Sequence, residues 1–250
     1  MSQFRLVILD YAKNQLDDPK VQKTLNEIIF AKQRNFLRTD PNYVVMDKHD
    51  MIGTHALIYD TSNFFESKLI FAIRVTFEAR ANQYKINTPL SDLKKFLPFD
   101  QANHLDSFQK HRGLVADCNS WFVDPDFSLK KSGLRLSDIG YTMIYLHVHR
   151  MGYDHIIGCT NEKYKAHRWL ENIGEFKKDL IFEHPTVKDP HMLILIEKFN
   201  VGYLKETYIQ NEKLFNEIVD LMPKSQHLMS ISQTIDKFLL SAAHFSLEVA

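Results

Sequence analysis

Residues 114–176 read LVADCNSWFVDPDFSLKKSGLRLSDIGYTMIYLHVHRMGYDHIIGCTNEKYKAHRWLENIGEF, and this stretch decides the fold. Leu114 to Val123 is a strand, stopped by Asp124-Pro125-Asp126. A basic turn follows, Lys130-Lys131-Ser132-Gly133-Leu134-Arg135, with Ser137 placed to cap the next helix. That helix runs to about Met151, carries Ile139, Met143 and Leu146 on one face, and stops at Gly152. A strand over Asp154–Thr160 and a helix over Asn161–Ile173 complete the unit, with Gly174 as the expected cap. A turn that feeds a helix start gathers backbone N–H groups and the positive end of the helix dipole, which suits phosphate. The chain holds only eight glycines, so one at this junction is informative.

Working outward, residues 18–38 form a helix with Val21, Leu25, Ile28 and Ile29 at helical spacing. Gly53–Tyr59 and Lys68–Phe77 are strands joined by a turn, an antiparallel hairpin. Residues 82–113 read as loop with a short helix near Leu90–Phe96. Leu180–Phe182 and His191–Glu197 add short strands. In the tail, Phe215, Ile218, Val219 and Met222 mark one amphipathic helix, Pro223 breaks it, and Ile231, Ile235, Phe238 and Leu239 mark another. The expected division is a body over 1–203 and a helical extension over 204–250.

At 250 residues, 44% hydrophobic and 25% charged, the composition is that of a globular protein. With 31 basic and 31 acidic residues, no global field favours nucleic acid or a membrane surface, so any attraction for an anion is local. The two cysteines, Cys118 and Cys159, lie in apolar runs and read as packing residues, though thiol chemistry at Cys118 is conceivable. The histidines scatter without ligand spacing, so no metal is expected. No apolar run approaches ~18 residues, so no transmembrane segment is expected, and a cytoplasmic protein is the default expectation.

These residues, in this order, resemble the GNAT superfamily of N-acetyltransferases. The resemblance rests on Val123-Asp124-Pro125 at a strand end, Lys130-x-x-Gly133 before a helix, Asn161 opening a later helix, and Gly174-Glu175-Phe176. It covers roughly residues 18–200. Upstream, Arg34, Asp47-Lys48-His49-Asp50, Gly53-Thr54-His55-Ala56 and Ile73-Arg74-Val75 resemble the branch of acyl-homoserine-lactone synthases and N-acyl amino acid synthases. Four positions depart from the branch pattern: Asp117 replaces a glutamate, Ser120 an arginine, Arg135 a glycine or alanine, and Leu170 the tyrosine that serves as general acid.

The resemblance implies an α/β fold: a mixed, mostly antiparallel sheet of six or seven strands, splayed near its middle, with helices on both faces. It implies acyl transfer from a pantetheine thioester, acyl-CoA or acyl carrier protein, to the amine of an amino acid or similar small molecule. The thioester arm would lie along Trp121, Phe122 and Val123, with its phosphates on Lys130, Lys131, Gly133, Leu134 and Arg135. Asp117 is the candidate general base, and a structural ion pair with Arg74 or Arg34 is the competing reading. Asp47 and Asp50 would meet a substrate ammonium, or serve as a polar turn. Arg34 would meet a substrate carboxylate, or form a surface salt bridge, and Arg74 completes the expected substrate-binding set. The alternatives are an acetyl-CoA-dependent N-acetyltransferase acting on a protein or small amine, and an inactive GNAT-like binding protein with the tail as partner module.

Overall fold

The computed structural model describes residues 3–37, 40–63, 66–113, 115–127, 129–223 and 228–241. Leu114, where the expected strand begins, and the Lys130 side chain lie outside the described residues. The strands are β1 (Phe4–Asp10), β2 (Thr54–Asp60), β3 (Lys68–Phe77), β4 (Val115–Val123), β5 (His155–Asn161), β6 (Gly174–Glu175), β7 (Ile181–Glu183), β8 (Pro190–Leu195), β9 (Lys198–Phe199) and β10 (Val219–Leu221). The helices are α1 (Pro19–Phe36), α2 (Lys48–Ile52), α3 (Glu78–Gln83), α4 (Pro89–Leu93), α5 (Phe99–Arg112), α6 (Leu129–Ser132), α7 (Leu136–Arg150), α8 (His167–Ile173), α9 (Val201–Gln210), α10 (Glu212–Asn216) and α11 (Ile231–Ser241).

One sheet has the order β10-β1-β2-β3-β4-β5-β8-β7. Only β10–β1 and β4–β5 pair in parallel; the other neighbours are antiparallel. The sheet thus has eight strands where six or seven were expected. The additions are at one edge: β1, and β10 in place of the helix expected over Phe215–Met222. There the open edge of β1 offers hydrogen bonds to Val219–Leu221, and strand pairing overrides the helical spacing.

The two faces of the sheet divide the apolar residues. On one face α7 lays Ile139, Met143, Ile144 and Leu146 against Ile58, Ile73, Val75 and Phe77. Phe215, Ile231, Ile235 and Phe238 of the C-terminal region join that same cluster. On the other face α1 packs Val21, Leu25 and Ile28 onto Leu9, Leu57 and Leu69. Further along that face, Leu105 and Phe108 of α5 pack onto Val115, Ile157 and Leu195. Each such side chain contributes about 1.5–3 kcal/mol by leaving water.

Local chemistry sets the helix starts. Asp18 accepts from the Lys20 amide at 2.8 Å and Pro19 opens α1, so the fixed proline φ and the cap act together. Residues 99–112, expected within a loop, are helical because Gln101, Leu105 and Phe108 bury one stripe of an otherwise polar segment. Gly174 is extended (φ −179°) rather than a left-handed cap, and begins β6. Among the described residues no helix is long and apolar enough to cross a membrane.

Candidate active site

The site starts from an interruption in the sheet. β4 pairs with β5 only from Val115–His155 to Cys118–Gly158. Beyond that point β4 continues to Val123 against β3, while β5 continues to Asn161 against β8. The two strands therefore part at Cys118, and among the described residues no strand pairs with 119–123 of β4 on that side. Gly158 marks the fork: a Cβ there would lie 2.5 Å from the Cys118 carbonyl oxygen. One residue further along β4 the register against β3 shifts, and Ser120 takes φ 50°. This is a bulge, which re-aims the side chains that follow.

On the apolar α7 side of the opening, Trp121 stands edge-to-face with Tyr141 of α7 at 5.9 Å and with Trp169 of α8 at 5.7 Å. Its Nε1 is buried without a hydrogen-bond partner. Val123 packs beside it against the same cluster. Phe122 points the other way, edge-to-face with Phe36 of α1. So of the three residues expected along the thioester, Trp121 and Val123 share one face and Phe122 takes the opposite one.

Asp117 and Asn119 lie on the α1/α5 face, directly across from Thr76 and Arg74 of β3. Asp117 is 1% exposed. Its Oδ2 accepts from the Leu90 amide at the start of α4, at 2.6 Å. Burial pushes its carboxyl up to about 6, partly opposed by the Leu90 N–H, Thr88 and Asn119. No ion pair to Arg74 or Arg34 forms; Arg74 acts on it only from a distance, in the direction that lowers its pKa.

Arg74 is instead the hub of a buried polar seam between the two apolar clusters of that face. Its Nη1 donates to Asp47 Oδ1 and Asp50 Oδ1, each at 2.7 Å, and its Nη2 to Asp47 Oδ2 at 3.1 Å. Its Nε donates to Asn119 Oδ1 at 2.6 Å, and Asn119 Nδ2 donates on to the Asp117 carbonyl at 2.9 Å. Lys32 of α1, fully buried, donates to Asp50, and His55 Nε2 bonds the Asp50 carbonyl at 3.1 Å. Asp47 and Asp50 also form a reciprocal capping box on α2. Burial alone would raise the Asp50 carboxyl, but Arg74 and Lys32 hold it well below the usual carboxylate range. Two carboxylates thus face two cations, and this pocket carries no net charge of its own for a substrate ammonium. Arg34 lies apart, half-exposed, donating to the Leu69 carbonyl at 3.1 Å and 3.3 Å from Asp124 at the end of β4.

The expected phosphate turn is rebuilt in part. Lys130 and Lys131 belong to the short helix α6, and the turn proper is 133–135, with Gly133 at φ +70°. Helix α7 begins at Leu136 with Arg135 as N-cap and no side-chain cap. Ser137 therefore sits inside the first turn, past the position from which a hydroxyl caps it. The Lys131 ammonium pairs with Asp126 at 3.0 Å on the surface. Arg135 is exposed, its Nη1 3.4 Å from the Tyr203 hydroxyl of α9, which donates to Asp138 Oδ2 at 2.6 Å. A cavity of about 430 Å³ opens here, bordered by Gly133, Leu134, Arg135, Asp138, Tyr203 and Glu206.

The chain matches no protein-family model and no curated protein. Among solved structures, BjaI, a CoA-dependent acyl-homoserine lactone synthase with SAM and isopentyl-CoA, is 10% identical with TM-score 0.53. The alignment covers 93% of this chain and 99% of that chain. The same enzyme with MTA gives 10% identity, TM-score 0.50 and the same coverage. The fold is GNAT-like. FeeM, an N-acyl amino acid synthase from uncultured soil microbes, is 12% identical with TM-score 0.45, over 78% of this chain and 92% of that chain. At such identities the likeness is one of fold.

Tyr43, Thr76 and Tyr141 also lie beside these residues, and no pattern in the sequence marks them. Tyr43 exchanges a hydrogen bond with Ser120 Oγ at 2.9 Å, spanning the loop after α1 and the β4 bulge. Thr76 lies cross-strand from Asp117. Tyr141 sits among apolar helix residues and reads as core until Trp121 is placed against it.

Proposed function

We propose that the protein is an N-acyltransferase that moves an acyl group from a pantetheine thioester to the amine of an amino acid or similar small molecule. The observation that carries this reading is the fork after Cys118–Gly158. It leaves the 119–123 edge of β4 without a strand partner, beside a buried carboxyl whose pKa lies near 6. An extended amide-bearing arm suits such an edge, because it supplies the hydrogen bonds a missing strand would make.

In this reading the thioester carbonyl lies against backbone N–H groups near Trp121–Val123, which hold the oxyanion as the amine attacks. The new C–N bond forms, the C–S bond breaks, and the sulfur leaves as thiolate. Asp117 is the base that receives the ammonium proton; with its pKa near 6 it is ionised yet still basic at neutral pH. Leu170 is buried and offers no acidic group, so the thiolate proton comes from elsewhere. Tyr141, in contact with Trp121 at the opening, is the hydroxyl we assign to that task. The donor phosphates lie at the 133–135 turn, with Lys131 and Arg135 supplying charge. The Arg74 seam, internally neutral, holds the β3–β4 strip rigid rather than binding the acceptor.

Native mass spectrometry of the purified chain with acyl-CoA and with acyl-carrier donors tests this reading. A complex with either donor supports it, and the two arms separate the donor types. Absence of both complexes, at concentrations where known acyltransferases load, removes it.

A further inference from the structure

Lys131 and Arg135, the cations described at the donor turn, each already face a carboxylate of this chain. Lys131 Nζ is 3.0 Å from Asp126, and Arg135 Nη1 is 3.8 Å from Asp138 Oδ2. The two pairs are unequal. The Asp126 side chain is 71% exposed, so water and salt screen its pair. Asp138 is 6% exposed and lies in the first turn of α7, where the helix dipole favours a negative charge. The Tyr203 hydroxyl of α9 donates to Asp138 Oδ2 at 2.6 Å, and Arg135 Nη1 is 3.4 Å from the same hydroxyl. Guanidinium, phenol and carboxylate thus form one chain across the gap between the turn and α9. The chain borders the cavity of about 430 Å³, which Glu206 of α9 also borders. Among the described residues around that cavity, one cation stands against two carboxylates. A phosphate arriving at the turn meets the charge of Asp138 and needs the arginine that Asp138 engages.

We propose that Asp138 is the resident anion of the donor turn and sets its affinity: the phosphate of a pantetheine donor takes the Arg135 guanidinium from Asp138, and the Asp138 carboxylate takes up a proton from solvent as it does so. The proposal rests on the phosphate assignment in the acyl-transfer reading above and deepens it. Asp138 is a positioning residue here, acting on the donor through Arg135 and through its own charge. Tyr203 keeps a bond to Asp138 in either protonation state, so α9 is part of the device. The charged and titratable groups that face Asp138 or share its cavity are Arg135 on the turn, and Tyr203 and Glu206 on α9. Burial already raises the Asp138 carboxyl, with Tyr203 and then Arg135 opposing the rise. Withdrawing Arg135 and bringing up a phosphate both push it in the same direction as burial.

Asp138→Asn removes the charge and keeps an acceptor for the Tyr203 hydroxyl; Asp138→Ser also removes the charge and serves if the asparagine variant does not fold. The test is titration calorimetry of free CoA, and separately of 4′-phosphopantetheine, against the native chain, Asp138→Asn, Arg135→Gln and the double variant, across falling pH. At pH 8 the asparagine variant binds CoA about tenfold tighter than the native chain. The gap closes as pH falls, because a protonated Asp138 carries the same charge as asparagine. With Arg135→Gln in place, the gain from Asp138→Asn is smaller, since there is no guanidinium to release. A gain with CoA alone assigns the diphosphate to the turn, and a gain with both probes assigns the single phosphate they share; each supports the proposal. CoA affinity in Asp138→Asn equal to or weaker than native at pH 8 overturns it, and leaves the acyl-transfer reading in place if the native chain still transfers acyl groups. A gap that does not change with pH overturns the proton uptake, and an undiminished gain with Arg135→Gln overturns the transfer of the guanidinium. A tighter CoA complex in Asp138→Asn, from a chain whose native form transfers no acyl group, supports the proposal and overturns the acyl-transfer reading instead.

Discussion

The Leu90 amide, at the start of α4, donates to Asp117 Oδ2 at 2.6 Å, so a helix from a segment with little regular pattern closes over the carboxyl at the sheet's fork. With Thr88 and Asn119, this contact orients the buried Asp117 carboxyl. It also couples stability to the chemistry proposed for the site.

A first prediction concerns that coupling. The folded carboxyl titrates near 6 against 3.8 unfolded, so its favourable contribution is present below pH 4 and lost as pH rises through 6. Keeping the charge buried then costs up to about 3 kcal/mol. Asp117→Asn retains an acceptor for the Leu90 amide and carries no charge. In denaturant titrations it should be more stable than the native chain at pH 8, with the difference vanishing below about pH 4. The same variant should lose roughly 10²–10⁴-fold in turnover without weaker donor binding.

A second prediction runs opposite in pH. His55 is buried with its pKa pushed down to about 4 by desolvation. His147 is lowered as well, by burial first. Arg150 donates to His147 Nδ1 at 2.7 Å, so the ring's proton sits on Nε2, facing Thr54 Oγ1 at 3.1 Å, and a second proton would expel the arginine. Both groups have folded pKa values below the unfolded value of about 6.5, so stability is intact above that pH and lost as pH falls toward 4. In the Asp117→Asn background, which removes the opposing carboxyl titration, thermal unfolding between pH 7 and 4 should show a steady fall in Tm, and adding His55→Gln should flatten it. A Tm constant across that window in the Asp117→Asn background contradicts this account of the buried histidines.

The Arg74 seam gives a third. Removing the guanidinium leaves Asp47, Asp50 and Asn119 without their shared donor in a buried setting. Breaking a buried pair by deleting one partner costs about 3–5 kcal/mol. Arg74→Ala should unfold at correspondingly lower denaturant, and Arg74→Lys, which lacks the Nε bond and the fork geometry, should recover only part of the loss.

A fourth concerns the fork. Gly158→Ala places a methyl 2.5 Å from the Cys118 carbonyl oxygen, with backbone on both sides unable to give way cheaply. It should cost about 2 kcal/mol or more in stability and weaken donor binding together. Normal stability and donor affinity in this variant would remove the tight approach of β4 and β5 from the account.

How much of this was legible beforehand follows from the range of the interactions. The β4–α6–α7–β5 unit is local: Pro125, Gly133 and Gly152 punctuate it within a few residues, so its order can be read directly. β1 could not, because Leu6-Val7-Ile8-Leu9 is a continuous apolar run without a period, as strands buried on both faces are. α5 shows only Gln101, Leu105 and Phe108 as an inward stripe. Asp47, Asp50 and Arg74 were legible as candidates but not as partners, since 24 and 27 residues separate them along the chain. Thr76 and Tyr141 look like ordinary strand and helix residues until the β3–β4 register sets Thr76 opposite Asp117 and Trp121 is placed against Tyr141.

The central claim is acyl transfer at the fork, and a single turnover measurement addresses it most directly. Purified protein is incubated with a long-chain acyl-CoA and a mixture of amino acids, and both free thiol and new N-acyl mass are followed over time. The account predicts thiol release matched by an N-acyl amino acid product, abolished by Asp117→Asn while acyl-CoA still binds. Thiol release without an N-acyl product, or equal turnover by Asp117→Asn, would contradict it.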